Sequence, residues 1–201
     1  MKLSRRLSPF RLRRQLIKKK NTLYLKWLKK QFAHFGEGSS ISHILNLGGA
    51  EFISIGENVH FGEYCVLEAI PENKKPEITV GDNSRIGDFA HLGAVDFIHI
   101  GKNVYTGRYI LINDHSHGSP EERFSDIPPF NRKLYSKGGI TIEDNVWIGD
   151  KVSILSGVTI GKGAIIGVNS VVTKDIPAFS IAAGSPARII RNGDSDCNIK
   201  L

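Results

Sequence analysis

The seven residues Ile112 to Gly118 read Ile-Asn-Asp-His-Ser-His-Gly, placing two histidines beside an aspartate. An imidazole titrates at about 6.5, so near neutral pH it can accept the proton of a hydroxyl that is attacking an electrophile. His115 is the candidate general base. His117 is its rival, because side chains two apart on a strand share one side; it either binds substrate or exchanges roles with His115. Asp114 and Asn113 stand where they could hold one imidazole tautomer or bind a substrate hydroxyl. Asp114 capping a turn is the plainer alternative, and Glu121 and Glu122 are further orienting candidates, or simply solvated charge. A zinc centre would need three converging histidines. His60, His91, His99, His115 and His117 supply candidates, but their spacing matches a metal set poorly, and no metal is expected. Cys65 and Cys197 match no ligand spacing and are too few for a disulfide framework, which favours a reducing compartment.

The elements that must position these groups show as a period of six. From Ile140 one inward row runs Ile140, Val146, Val152, Val158, Ala164, Ser170, and a second runs Ile142, Ile148, Ile154, Ile160, Ile166, Val172. The paired rows recur as Ile53, Val59, Cys65 with Ile55, Phe61, Leu67; as Ile78, Ser84, Ala90 with Val80, Ile86, Leu92; and as Ile98, Val104, Ile110 with Ile100, Thr106, Ile112. Glycine follows the second row at ten places, from Gly56 to Gly167, where it is expected to supply turn conformations. No α-helix produces this period. Short strands and tight turns do, so the reading is an all-β solenoid of about five triangular coils, stacked about 4.8 Å apart. Two breaks in phase are outward loops: one around Pro71 to Glu77, and a long one inserted over 113–139, a length usually tied to function.

These hexads, with Val-Thr-Lys-Asp-Ile-Pro at Val172 to Pro177 and Ala-Ala-Gly-Ser-Pro-Ala-Arg-Ile-Ile-Arg at Ala182 to Arg191, resemble the left-handed β-helix acyltransferases of the hexapeptide-repeat family. The histidine motif, Ile-Pro-Pro-Phe-Asn-Arg at Ile127 to Arg132 and Val-Trp-Ile-Gly at Val146 to Gly149 resemble the branch that O-acetylates sugars of O-antigen and capsular polysaccharides. The resemblance covers roughly Ile53 to Arg191. It implies acetyl coenzyme A as co-substrate, a sugar or glycan acceptor, His115 as base, and a backbone N–H at Asp150 for the thioester oxyanion. It further implies that Val168 touches the pantetheine arm and that Thr173, Lys174, Arg188 and Arg191 hold the nucleotide and its phosphates. Surface salt bridging is the alternative for each cation. Trp147 matches a tryptophan near the acceptor pocket, with subunit packing as its alternative reading. The family further implies a homotrimer whose sites lie between neighbouring chains. Competing functions are N-acetylation of a nucleotide-linked amino sugar, O-acetylation of an antibiotic, a γ-carbonic-anhydrase-like zinc enzyme, and a catalytically silent trimer.

The net charge of +7 over 201 residues is unevenly held. Residues 1–36 contain twelve Lys and Arg and no acid, so the remainder carries −5. Within this arm Leu25, Leu28, Phe32 and Phe35 fall at helical spacing among Lys18, Lys19, Lys20, Lys26, Lys29 and Lys30, which predicts a basic amphipathic helix. It either caps the open end of the solenoid or meets an anionic membrane surface. Nucleic acid is not an expected partner, since no reader motif accompanies the charge. The expected organisation is an arm over 1–36, the solenoid over 37–191 and a tail over 192–201. With no apolar run of membrane-spanning length and no signal-peptide pattern, the expected location is the cytoplasm, or the inner face of the membrane if the arm binds there.

Overall fold

The computed structural model describes residues 26–124 and 126–193. Three parallel sheets form the flat faces of a triangular prism. Face 1 stacks His34–Phe35, Ile53–Ile55, Glu77–Val80, Phe97–Ile100, Ile140–Ile142 and Thr159–Ile160. Face 2 stacks Ser40–Ile41, His60–Phe61, Arg85–Ile86, Tyr105–Thr106, Trp147–Ile148 and Ile165–Ile166. Face 3 stacks Ile44–Gly48, Cys65–Ala69, His91–Ala94, Leu111–Asn113, Ser153–Leu155 and Val171–Val172. The chain visits the faces in turn, so each strand pairs with the strand one coil later, as in Ile98↔Ile140 and Ile112↔Ile154. Backbone bonds run between coils; Gly81 N–H donates to Ile100 O at 2.7 Å and Gly149 N–H to Ile166 O at 2.8 Å.

Both six-residue rows point inward, and none of their members is more than 3% exposed. Each buried Ile or Leu is worth about 1.5–3 kcal/mol relative to an exposed one, so the interior column supplies the stability.

The described residues make six complete coils rather than five. The additional coil is the first: His34–Phe35 pairs with Ser54 and Ile55, and Ser40–Ile41 with His60 and Phe61. Ser39 fills the inward place that Val59 takes one coil later; its hydroxyl donates to Gly56 O at 2.6 Å and accepts from Val59 N–H at 2.8 Å. Ser84 bridges Gly101 and Val104 in the same way, so a row that looks broken by serine is still continuous. The arm is therefore helical over less of its length than its spacing suggested. A helical turn covers Lys26 to Leu28, a 3-10 turn Lys29–Gln31, and Phe35 is already in a strand. Leu28 and Phe32 are buried against the core, and Lys29 Nζ donates to Ser39 O at 3.1 Å, so this end of the arm caps the first coil. Residues 1–25 and Cys197 lie outside the described residues, and no described helix is long and apolar enough to cross a membrane.

The glycines after the second row have a different cause from the expected one. None has a positive φ; the left-handed residue of each corner comes two places later, at Asn58, Asn83, Asn103 and Asn145 on one edge and at Tyr64, Phe89, Tyr109, Lys151 and Asn169 on another. Asparagine tolerates this region, and the three aromatic residues there stack, with centroids 5.2 and 4.6 Å apart. The glycines are needed because the next coil passes directly over them. A Cβ on Gly81 would lie 2.6 Å from Gly101 C, a backbone atom that cannot yield.

Cys65, on the inner side of face 3, is fully buried. Burial pushes its thiol up to about 11. The folded state thus holds this proton more tightly than the unfolded chain. The resulting stability is complete at neutral pH and is lost as pH rises from about 9 towards 11. Urea unfolding should show roughly 1–3 kcal/mol of loss over that range in the wild type. Cys65→Ala, though less stable at neutral pH, should lack this component; a variant with the same alkaline loss would assign it to other groups.

Candidate active site

His115 lies on the edge where face 3 turns towards face 1, at the end of the fourth coil. The strand Leu111–Asn113 is locked between His91–Ala94 and Ser153–Leu155, which fixes where the chain leaves the solenoid. Asp114 is then the first residue off the strand and is completely buried. Its carboxylate accepts the backbone N–H of Val95 and of Asp96, both at 2.8 Å, from the preceding coil. Oδ1 also lies 3.2 Å from His115 Nδ1. With the carboxylate as acceptor, Nδ1 carries the proton and the Nε2 lone pair is left to take another. The imidazole is 11% exposed, enough for one face to be reached.

Of the open alternatives for Asp114, its contacts fit orientation of the ring. Asp114 cannot touch substrate because it has no exposed surface, and it holds a ring rather than only a turn. Asn113 Nδ2 donates to His115 O at 2.9 Å, so it pins the loop backbone rather than the ring. Glu122 Oε2 accepts Ser119 N–H at 2.8 Å, and a hydrogen bond from the Ser119 side chain leads the lowering of the Glu121 pKa; both acids serve the loop. His117 does not share a side with His115 on one strand. It belongs to the exposed Ser116–His117 strand, which pairs antiparallel with Leu134–Tyr135 inside the loop.

Gly93 was legible only as another corner glycine, yet it makes room for this site. A Cβ there would lie 2.6 Å from Asn113 Oδ1 and 3.2 Å from His115 Cε1, so both side chains fold over the bare backbone.

The other candidates fall on three further parts of the prism. Thr173 and Lys174 are exposed on the same edge as His115, two coils further along. Asp150 and Val168 lie on the edge between faces 2 and 3. There Asp150 carboxylate accepts Arg108 N–H at 2.8 Å, which holds its pKa below the usual range, as Asp88 accepts Glu63 N–H at 2.8 Å. The sixth coil has Val168, 61% exposed, in the capping place, so among the described residues nothing accepts the backbone N–H of Asp150. Trp147 is exposed on the outer side of face 2, paired with Tyr105. Arg188 and Arg191 are exposed on the strand Ala187–Arg191, which returns antiparallel beside Ile181–Gly184 after the turn at Ser185 and Pro186. One chain therefore gathers Asn113, Asp114 and His115, but leaves Asp150, Val168 and Trp147 across the width of face 3. The five histidines of the zinc alternative are likewise dispersed over the three faces and the loop, and among the described residues no group of three His, Cys, Asp or Glu is arranged to hold a metal.

Residues 139–174 match the family model described as bacterial transferase hexapeptide (six repeats). The chain carries a hexapeptide-repeat domain there. Among curated relatives, this chain is 48% identical over 66 residues to a putative acetyltransferase of Staphylococcus aureus, a match spanning a third of either protein. It is 41% identical over 86 residues to the putative lipopolysaccharide biosynthesis O-acetyl transferase WbbJ of Escherichia coli, covering 41% of this chain and 43% of WbbJ. Among solved structures, a variant of the N-acyltransferase AntD from Bacillus cereus, in complex with dTDP-4-amino-4,6-dideoxyglucose and coenzyme A, superposes with a TM-score of 0.67 at 25% identity, covering 83% of this chain and 87% of AntD. A maltose O-acetyltransferase from Clostridium difficile 630 gives 0.57 at 27% identity, covering 89% and 85%. The left-handed parallel β-helix expected from the hexads is the fold of this chain.

Proposed function

We propose that the protein transfers the acetyl group of acetyl coenzyme A to a hydroxyl of a sugar, as a free sugar, a glycan or a precursor of a surface polysaccharide. The observation that carries this reading is the buried Asp114 carboxylate, fixed by two backbone N–H groups and turned onto His115 Nδ1. A histidine so held is a general base with its tautomer assigned. Nε2 takes the acceptor hydroxyl proton as the oxygen attacks the thioester carbon. The proton is then available to the departing thiolate, so the products are the acetyl ester and the free thiol.

Acetyl coenzyme A suits the remaining candidates. The exposed Lys174, Arg188 and Arg191 can meet its phosphates, and the uncapped N–H of Asp150 can donate to the thioester oxygen as negative charge develops. Because Asp150 and Val168 lie on a different edge from His115, a complete site on this reading joins His115 of one chain to the Asp150 and Val168 edge of a second, as in a trimer. The names and complexes of the similar proteins support the reading. Thiol release from acetyl coenzyme A with free, nucleotide-linked and polymeric sugars tests it; no release with any of them would reject it.

The likeness to AntD favours a second reading, acyl transfer to the amine of a nucleotide-linked amino sugar. An amide product, stable where an ester is cleaved by mild base, would decide for it.

A further inference from the structure

Face 2 carries on its outer side a row of long side chains that the chemistry above leaves unused. His60, Arg85 and Tyr105 are in register on successive rungs, where face 1 has Ser54, Thr79 and His99. They line a groove of about 570 Å³ that extends to Asp150, the residue whose backbone N–H is assigned above to the thioester oxygen. Of the four charged side chains that line it, three are engaged. Asp88 accepts Glu63 N–H at 2.8 Å; Asp150 accepts Arg108 N–H at 2.8 Å and lies 3.5 Å from the Arg108 guanidinium. Arg85 is exposed and makes no ion pair or hydrogen bond among the described residues. On the rungs to either side, His60 is held through Nδ1, 2.8 Å from Ser40 Oγ, and Tyr105 is 56% exposed.

We propose that this groove is an anion subsite, in which Arg85 receives a carboxylate or phosphate borne by the acceptor while Tyr105 packs against its sugar ring, so that the acceptor is an acidic glycan. The inference rests on the acetyl-transfer reading and adds the acceptor's charge to it. A guanidinium presents a planar fork of N–H donors and no acceptor, which matches the paired oxygens of an oxyanion better than a hydroxyl that must also donate. The two carboxylates in the groove do not satisfy that fork, because one caps a backbone N–H and the other caps a backbone N–H and faces Arg108. His60 Nε2, which makes no hydrogen bond among the described residues, is a second donor one rung away from Arg85. Since Asp150 lines the end of the groove, an acceptor lying in it reaches the place where, on the same reading, His115 of a second chain meets the thioester.

The experiment uses the full chain at low salt and three matched sets of methyl glycosides in the gluco, galacto and manno series: the neutral hexosides, the corresponding uronides and the hexoside 6-phosphates. Binding is followed by saturation-transfer NMR, and thiol release gives KM and kcat for the acceptor. At least one charged probe should bind the wild type about tenfold more tightly than its neutral parent, and whether it is a uronide or a phosphate identifies the anionic group. Arg85→Gln, a change at an exposed position, should remove that preference and raise the acceptor KM about tenfold, with kcat within about twofold. Lys102→Gln is the control for net charge, since Lys102 Nζ is already paired with Asp82 Oδ2 at 2.8 Å on the edge between faces 1 and 2; it should change neither. The proposal is overturned if neutral parents bind as well as their charged partners, if both variants lose the preference equally, or if Arg85→Gln raises the KM of acetyl coenzyme A instead of the acceptor's. Thiol release with neutral sugars that is unaffected by Arg85→Gln would sink the subsite and leave acetyl transfer standing. Charged-sugar binding lost in Arg85→Gln, without thiol release by the wild type, would sustain the subsite and sink the transfer reading.

Discussion

His115→Ala is expected to lower the rate of acetyl transfer by about 10²–10⁴-fold, the usual contribution of a positioned general base. The Nε2 lone pair is the only acceptor that the buried Asp114 carboxylate prepares, and alanine removes it without disturbing the strand before it. His117→Ala should stay within about twofold, as befits an exposed loop side chain. Initial rates of thiol release for the two variants make the comparison. A large loss in His117→Ala with little in His115→Ala would reverse the assignment and place the base on the loop hairpin.

Asp114→Ala should damage both folding and turnover. It strands the N–H of Val95 in a buried position, at about 1–3 kcal/mol, and that of Asp96 in a part-buried one at less, so a loss of about 2–4 kcal/mol is expected in urea unfolding. It also frees the His115 ring to rotate or change tautomer, which by analogy with other held imidazoles costs about 10²–10⁴ in kcat. Asp114→Asn separates the two effects. Its amide oxygen can still accept a backbone N–H, but its NH₂ group favours the opposite tautomer, so stability should recover further than kcat. A fully active Asp114→Asn would show that the residue only closes the turn.

The inward rows of the solenoid were plain in the sequence because a stacked fold repeats one local rule, and every member of both rows is buried as its type demands. Its first coil was not, because its strands are short and its inward places include Ser39, whose hydroxyl is satisfied by backbone atoms of the next coil. No local pattern announces such a bond. For the same reason the histidine motif singled out His115 as the candidate base but left the role of Asp114 open. What bears on it is the pair of N–H groups at Val95 and Asp96, far back in the chain and brought close only by one full turn of the prism. Gly93 and Gly81 look alike in the sequence; one makes space for an imidazole and the other for a neighbouring backbone. At the corner where Asp88 and Asp150 each cap the coil before, Arg108 and Val168 have no carboxylate, a readable signal that among the described residues the backbone donors of Asp88 and Asp150 go uncapped.

A column of parallel rungs has open hydrogen-bonding rims at top and bottom, and another column could add there as further rungs. In this molecule Leu28 and Phe32 cover the first rim, and at the other the strand Ala187–Arg191 runs the wrong way, bearing Arg188 and Arg191. Growth along the axis is thereby blocked at both ends. On the proposed trimer, copies of the chain meet flank to flank, which turns a repeat suited to an endless fibre into the unit of a closed particle of few members.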